Sequence, residues 1–195
     1  MTLLVLGLLL FLGTHAVSIA RGPRARLVAR LGEGPFKLVY SLLSLVGLAV
    51  IAIGYGAYRR DAWMPLWDPP LWTRHLALTL VAVAFVCVAA AYLPGHIKAR
   101  LKHPMLVGVK VWALAHLLAN GDLGSLLLFG AFLAWAVIDR IAIKRRDEAA
   151  AHLPEAPPAG WRNDLAAVAV GLAAWFVFAR YLHPWLIGVP VWPGT

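Results

Sequence analysis

The sequence predicts an all-α fold: a polytopic membrane bundle of about six transmembrane helices, forming a single domain over residues 1–195. Three observations carry that prediction. Of the 195 residues, 62% are hydrophobic, against roughly 45–50% in soluble globular domains, an excess that one small core cannot hide. Six apolar runs approach the roughly 20 residues needed to cross a bilayer. The basic residues, which bring the formal net charge to +9, concentrate in short segments beside those runs, where they face anionic lipid and set topology. A soluble enzyme is excluded, and the expected partner of the charge is membrane lipid, with no nucleic acid. Cys87 is the only cysteine, so neither an intrachain disulfide nor a multi-cysteine metal site can form.

The first span is expected over residues 2–20. No basic residue precedes it, and Arg21, Arg24, Arg26 and Arg30 follow it. A cleavable signal peptide has the opposite arrangement, so the run reads as a retained anchor. Gly22-Pro23 and Gly32 to Pro35 punctuate a short basic loop, with Pro35 suited to the first turn of the next helix. The second span follows over 36–58. Trp63, Trp67 and Trp72, set among Pro65, Pro69 and Pro70, match the headgroup level. The third span, 76–93, stops at Pro94-Gly95, and a basic loop with His96, Lys98, Arg100 and Lys102 leads to the fourth, 105–120.

Asn120-Gly121-Asp122 is read as a tight turn in which residue chemistry accounts for both polar side chains. The fifth span covers 123–143, and Asp139 at its end is expected to pair with a basic residue from another loop. Residues 147–164 are polar and proline-rich and read as a surface loop, with Asn163 or Asp164 capping the last span, 165–188. Ala52 and Gly56 offer one close helix approach. Counted with their flanks, the loops after the first, third and fifth spans hold 5, 3 and 5 lysines and arginines, the loop after the second holds 3, and the turn after the fourth none. The positive-inside bias then places both termini outside, in the periplasm of a bacterial inner membrane.

Ionisable groups within apolar spans are costly, and each is a functional hypothesis by default. His15 and His116 lie inside the first and fourth spans. Each reads either as a histidine bonded to a neighbouring helix or as a metal ligand, since neutral imidazole needs no counter-ion. His103 starts the fourth span before Pro104. Structural zinc wants four ligands, whereas haem needs one or two from the protein because the porphyrin supplies the rest, so haem b is the expected cofactor. No C-x-x-C-H occurs, which excludes covalent attachment. Arg21, Arg24, Arg100 and Arg140, near the cytoplasmic boundary, are candidates to pair with haem propionates or serve only as topology signals. Trp112 lies one turn from His116 and reads as a flank for a bound ring or as packing.

The motifs G-T-H-A-V-S at 13–18, K-H-P-M-L-V-G at 102–108, W-A-L-A-H-L-L-A-N-G-D at 112–122 and A-W-A-V-I-D-R at 134–140 resemble the NnrU family over nearly the whole chain. That resemblance implies a membrane protein linked to nitric-oxide and denitrification metabolism, with a respiratory reductase as possible partner. The family is similar to the plant zeta-carotene isomerases, which use haem b to isomerise a cis double bond of an apolar polyene. By residue match, the resemblance makes His15 and His116 the haem ligands. The isomerases carry arginine and glutamine where this chain has Lys102 and Met105, and a cysteine where it has Ala113. K-H-P-x-x-x-G also resembles a motif of membrane methyltransferases acting on isoprenylcysteine. The functions open at this point are an NnrU-type haem protein, a haem-dependent isomerase and a cofactor-free assembly factor for a membrane reductase. Counting about 1.5 Å per residue, His15 and His116 lie roughly 8 and 17 Å from the cytoplasmic ends of their spans, so depth does not choose between His116 and His103 as the partner of His15.

Overall fold

Leucine, alanine and valine dominate the apolar runs, and in a bilayer a backbone without water must satisfy its own hydrogen bonds, so these runs close into helices. The structure, a computed structural model, describes residues 1–149 and 160–192. Most of the proline-rich loop expected over 147–164 lies outside the described residues, and the side chains of Ser18, Arg21, Asp147, Glu148 and Ala149 are likewise outside them. The elements are α1 (Thr2–Ile19), α2 (Arg21–Leu31), α3 (Glu33–Asp61), α4 (Leu71–Tyr92), α5 (His96–Leu101), α6 (Pro104–Ala119), α7 (Leu123–Ala149) and α8 (Trp161–Val177), then a π-helical turn (Phe178–Leu182) and α9 (His183–Ile187). The single β feature among the described residues is an isolated bridge between Pro65 and Asp122.

Four helices are long and apolar enough to cross a bilayer, Glu33–Asp61, Leu71–Tyr92, Leu123–Arg146 and Trp161–Ile187, and the bent pair formed by α1 and α2 makes a fifth if taken as one span. The all-α membrane bundle is as expected, with four or five helices of spanning length where about six spans were expected; the remaining expected span, α6, is a shorter apolar helix. That helix has 16 residues, about 24 Å at 1.5 Å each, which falls short of the roughly 30 Å hydrocarbon core. Two segments expected as loops are helical. Arg21–Leu31 continues α1 after a bend of 86°, because its arginines, alanine and leucines are good helix formers and Pro23 falls in the first turn, where no N–H is required. His96–Leu101 forms α5 for a reason that lies elsewhere in the chain.

The chain divides into two compact units. Unit 1 comprises Met1–Trp67 and Gly121–Ala149. Here α1 lies along α3 and against α7. On α3, Gly47, Ile51, Gly54 and Tyr58 are buried, a spacing that puts them on one helical face. A methyl group at Gly47 would stand 2.9 Å from the Phe11 backbone nitrogen, and one at Gly7 2.6 Å from that of Ile51. The two backbones therefore touch through small residues. The approach expected at Ala52 and Gly56 is not the one used: Ala52 is exposed, and a methyl at Gly56 would meet only the Arg60 guanidinium at 3.6 Å. Both residues point off the buried face.

A buried polar cluster closes one end of unit 1. Asp122 caps α7, its Oδ1 accepting the Ser125 N–H at 2.9 Å and its Oδ2 the Ser125 hydroxyl at 2.6 Å. With that proton committed, the Tyr55 hydroxyl donates to Ser125 Oγ at 2.7 Å. Tyr58, fully buried, accepts the Met64 N–H at 3.0 Å and packs its ring against Gly124. Leu66 and Trp67 donate backbone N–H groups to the Gly121 carbonyl at 2.7 and 3.0 Å. The turn chemistry read for Asp122 is thus present, with a buried network built on it. Asp139 has its ion-pair partner on its own helix, Arg146, at 4.0 Å, and Arg146 also donates to the Ile19 carbonyl at 2.9 Å, at the end of α1.

Unit 2 comprises Asp68–Asn120 and Ala150–Thr195. Its central helix is α4, packed by α6 and α8. A methyl at Gly108 of α6 would stand 3.0 Å from the Ala84 carbonyl oxygen, and one at Gly171 of α8 2.6 Å from Val86 Cα. Asn163 and Asp164, expected to cap α8, instead serve other segments. Asp164 accepts the backbone N–H groups of Ile97 at 2.9 Å and His96 at 3.1 Å and pairs with the His96 ring at 2.7 Å, which is what turns His96–Leu101 into a helix. Asn163 donates to the Pro94 carbonyl at 2.6 Å. These bonds tie the start of α8 to the end of α4, so α8 runs antiparallel to α4, as does α6 beyond α5.

Candidate functional site

A histidine in an apolar helix has two ring nitrogens to satisfy, and the bond made by one decides what the other can do. In unit 1, His15 Nδ1 lies 2.8 Å from the Phe11 carbonyl oxygen, one turn back on α1. A carbonyl only accepts, so Nδ1 carries the proton and Nε2 holds the lone pair. The ring stacks on Phe11 at 4.2 Å, with Tyr40 at 5.3 Å and the edge of Trp135 at 5.7 Å. In unit 2, His116 repeats the arrangement on α6: its Nδ1–H donates to the Trp112 carbonyl at 2.8 Å, and its ring lies 5.1 Å from the Trp112 ring. Asn120 donates to the His116 carbonyl at 2.8 Å.

A third histidine shares this tethering. The N–H of Pro184 is missing, so the Arg180 carbonyl has no donor in the α register. The chain widens there into the π turn Phe178–Leu182, in which the His183 N–H reaches the Phe178 carbonyl. Such turns recur at functional sites. After α9 the backbone reverses at Gly188, with φ of 73°, and the returning chain brings the Val189 carbonyl within 2.8 Å of His183 Nδ1. Trp192 then packs on Trp175 at 5.7 Å and on Phe176 at 6.1 Å.

The remaining sequence candidates fall into place around these rings. His103 is the residue before the first turn of α6, and its carbonyl accepts the N–H groups of Leu106 and Val107 at 3.1 and 3.2 Å. It follows Lys102, which has a φ of 60°, and the His103 N–H reaches the Leu101 carbonyl at 2.6 Å across it. That is a γ-turn of the rare positive-φ kind, a strained conformation for a lysine. Arg24 lies over the Phe36 ring at 5.7 Å and lines a shallow cleft with Phe36, Lys37, Tyr40 and Ser41, so Tyr40 links His15 to a basic surface. Arg100 is exposed on α5. Arg21 opens α2, its side chain outside the described residues.

Three buried donors have no acceptor among the described residues: Trp135 Nε1, Arg140 Nη1 and Trp175 Nε1. Native structures rarely leave such groups unpaired, and each calls for an explanation such as a ligand. The first two lie on α7 in unit 1 and the third on α8 in unit 2. No group of three or more metal-ligating side chains occurs among the described residues. Sequence reading singled out neither His183 nor Trp175 as a ligand-site residue. The signal available for His183 was the His-Pro pair late in an apolar run.

The apolar helices, four or five of them long enough to cross a bilayer, define a multi-span helical membrane protein. The chain belongs to the NnrU family: the model described as NnrU protein matches residues 3–191. No curated protein and no solved structure matches it.

Proposed function

We propose that this protein binds haem b in a bacterial inner membrane and serves nitric-oxide-linked metabolism, as a redox or ligand-binding component or in support of a membrane reductase. The observation that carries the haem reading is the tethering of His15 and His116, the two histidines that the family resemblance makes ligands. Both give Nδ1–H to a backbone carbonyl at 2.8 Å, the outer-sphere bond that fixes the tautomer of a ligating imidazole and raises its basicity. The residues also suit the group in two further ways. A porphyrin supplies four nitrogens, so a protein without a carboxylate or thiolate cluster can hold it, and the unpaired donors Arg140 Nη1 and Trp135 Nε1 suit anionic oxygens such as propionates. When bound, haem supplies one-electron exchange or an open iron position for a diatomic ligand.

What this chain's own residues do is hold and shield. Trp112 flanks the His116 ring, Phe11 and Trp135 flank that of His15, and the surrounding apolar helices exclude water. The isomerase alternative lacks support at one position: Ala113, where those enzymes carry cysteine, is fully buried and offers no thiolate. The experiment is the absorption spectrum of the purified full-length protein produced with ample haem. A Soret band at about one haem per chain is expected, and its absence sinks the reading in favour of a cofactor-free assembly factor. Both termini are proposed to face the periplasm. Reporter fusions after residue 150 and after Thr195 should report opposite sides, cytoplasmic and external.

A further inference from the structure

One end of unit 1 carries a cleft and a stripe of side chains that together have the layout of a phospholipid. On α3, Lys37 and Arg59 stand 22 residues apart, about 33 Å at 1.5 Å per residue, which matches the roughly 30 Å hydrocarbon core. Lys37 is thereby set at the headgroup level, where a lysine stem runs along apolar surface and keeps its ammonium in the polar layer. α2 meets α1 at 86° and packs beside the start of α3. A basic helix set crosswise to a spanning one lies along the interface, so Arg24, Arg26 and Arg30 share the level of Lys37.

At this level Arg24, Phe36, Lys37, Tyr40 and Ser41 line a cleft of about 200 Å³, smaller than the roughly 300–1,000 Å³ of pockets that enclose a whole ligand. It admits a phosphate-sized head and leaves the rest of a larger molecule outside. Arg24 is held over the Phe36 ring at 5.7 Å. Beyond the cleft the same face of α3 continues: Lys37, Ser41, Leu45, Leu48 and Ala52 follow at i, i+4, i+8, i+11 and i+15, one side of the helix, and all five are exposed. Leu45 is 64% and Leu48 50% exposed. Leu48 lies 11 residues beyond Lys37, about 16 Å, the depth of one leaflet of the hydrocarbon core. Cation, hydroxyl and apolar side chain thus follow in the order of phosphate, glycerol ester and acyl chain.

Charge decides which phospholipid. Over residues 22–37 four basic residues, Arg24, Arg26, Arg30 and Lys37, face one acid, Glu33. Glu33 pairs with Lys37 at 2.7 Å in an exposed contact, which is worth little by itself, so the cleft keeps a surplus of positive charge. We propose that it holds the phosphate of an anionic phospholipid, with an acyl chain laid along Leu45 and Leu48. A zwitterionic headgroup brings its own cation into the same positive field and is disfavoured. Haem plays no part in this site, and Arg24 takes a lipid phosphate as its partner.

The test titrates full-length protein in detergent micelles with phosphatidylglycerol or phosphatidylethanolamine and counts bound lipid by native mass spectrometry. The wild type is expected to take one phosphatidylglycerol in preference to phosphatidylethanolamine. Arg24→Ala and Lys37→Ala should each weaken that binding about fivefold, the worth of one basic residue near an anionic surface, and the double variant more. Ser41→Trp, which fills the cleft and leaves both cations in place, should also weaken it. Arg60→Ala, at the other end of α3, should bind as the wild type does, and excess glycerol phosphate should not displace the lipid, because it lacks the acyl chain. Equal binding of the two lipids, an unaffected double variant or Ser41→Trp, an equal loss in Arg60→Ala, or displacement by glycerol phosphate overturns the proposal.

Discussion

In unit 1, α1 lies against α3 through Gly7, Gly47 and Gly54, and the unit is closed by a polar network of Tyr55, Asp122 and Ser125 beside Tyr58. In unit 2, α4 is gripped from two helices through Gly108 and Gly171, and the far end is closed by aromatic rings of the returning tail. The histidine of unit 1 sits in an uninterrupted helix and is tethered one turn back. Unit 2 repeats that at His116 but adds His183, which is reached only through a break in the α register and a chain reversal. The contrast teaches that a local i to i−4 bond is enough to hold the rings of His15 and His116, whereas holding that of His183 needs a chain reversal.

The largest expected effect separates the units by chemistry. On the proposed haem reading, His116→Ala is expected to abolish the Soret band of the purified protein, whereas the buried donor Arg140 of unit 1 should matter less. Arg140→Leu is expected to retain haem with a weakened affinity, measured by haem transfer to apomyoglobin. Next comes the plug of unit 1. Tyr58→Ala should cost about 3–5 kcal/mol, as removal of a buried ring does elsewhere, read by reversible unfolding in mixed micelles. If it costs no more than an exposed tyrosine such as Tyr92, Tyr58 is not the structural centre of that end.

A smaller effect compares the two helix seams. Gly54→Ala and Gly171→Ala each force a methyl into a neighbouring backbone, and about 1–3 kcal/mol of destabilisation is expected, the range for overpacking. Asp122→Ala should cost about 0.5–2 kcal/mol as a lost helix cap, at the upper end because the Ser125 hydroxyl also loses its acceptor. The smallest effect serves as the control: Gly56→Ala, off the seam, should stabilise by about 0.5–1 kcal/mol through reduced chain entropy. A destabilised Gly56→Ala variant would move the seam of α3 back to the face first expected from Ala52 and Gly56.

How much was legible follows from the range of the interaction involved. The apolar runs, their approximate ends, the turn at Asn120 to Asp122 and the position of His103 before Pro104 are set by neighbours within a few residues, and the sequence displays them. Hydropathy could not reveal α2 and α5 as helices. α2 is a basic, polar helix, and α5 exists because Asp164, more than sixty residues away, accepts its first N–H groups. Nor could residue type alone choose among the glycines of α3. Gly54 and Gly56 are equally small, and only the rotation of the helix against α1 decides which of them meets a backbone.

The sequence by itself determined that this chain crosses a membrane as helices, because hydrocarbon leaves a backbone no other way to satisfy its hydrogen bonds. It also determined which histidines lie inside the apolar runs and which family the motifs resemble. Only the tertiary structure decided that the His183 ring is held by the Val189 carbonyl after a chain reversal. It also decided which buried donors stand without acceptors, and that His183 joins His116 in one unit. Those properties depend on carbonyls, rings and backbone reversals brought together by packing, and packing depends on contacts between residues far apart in the chain.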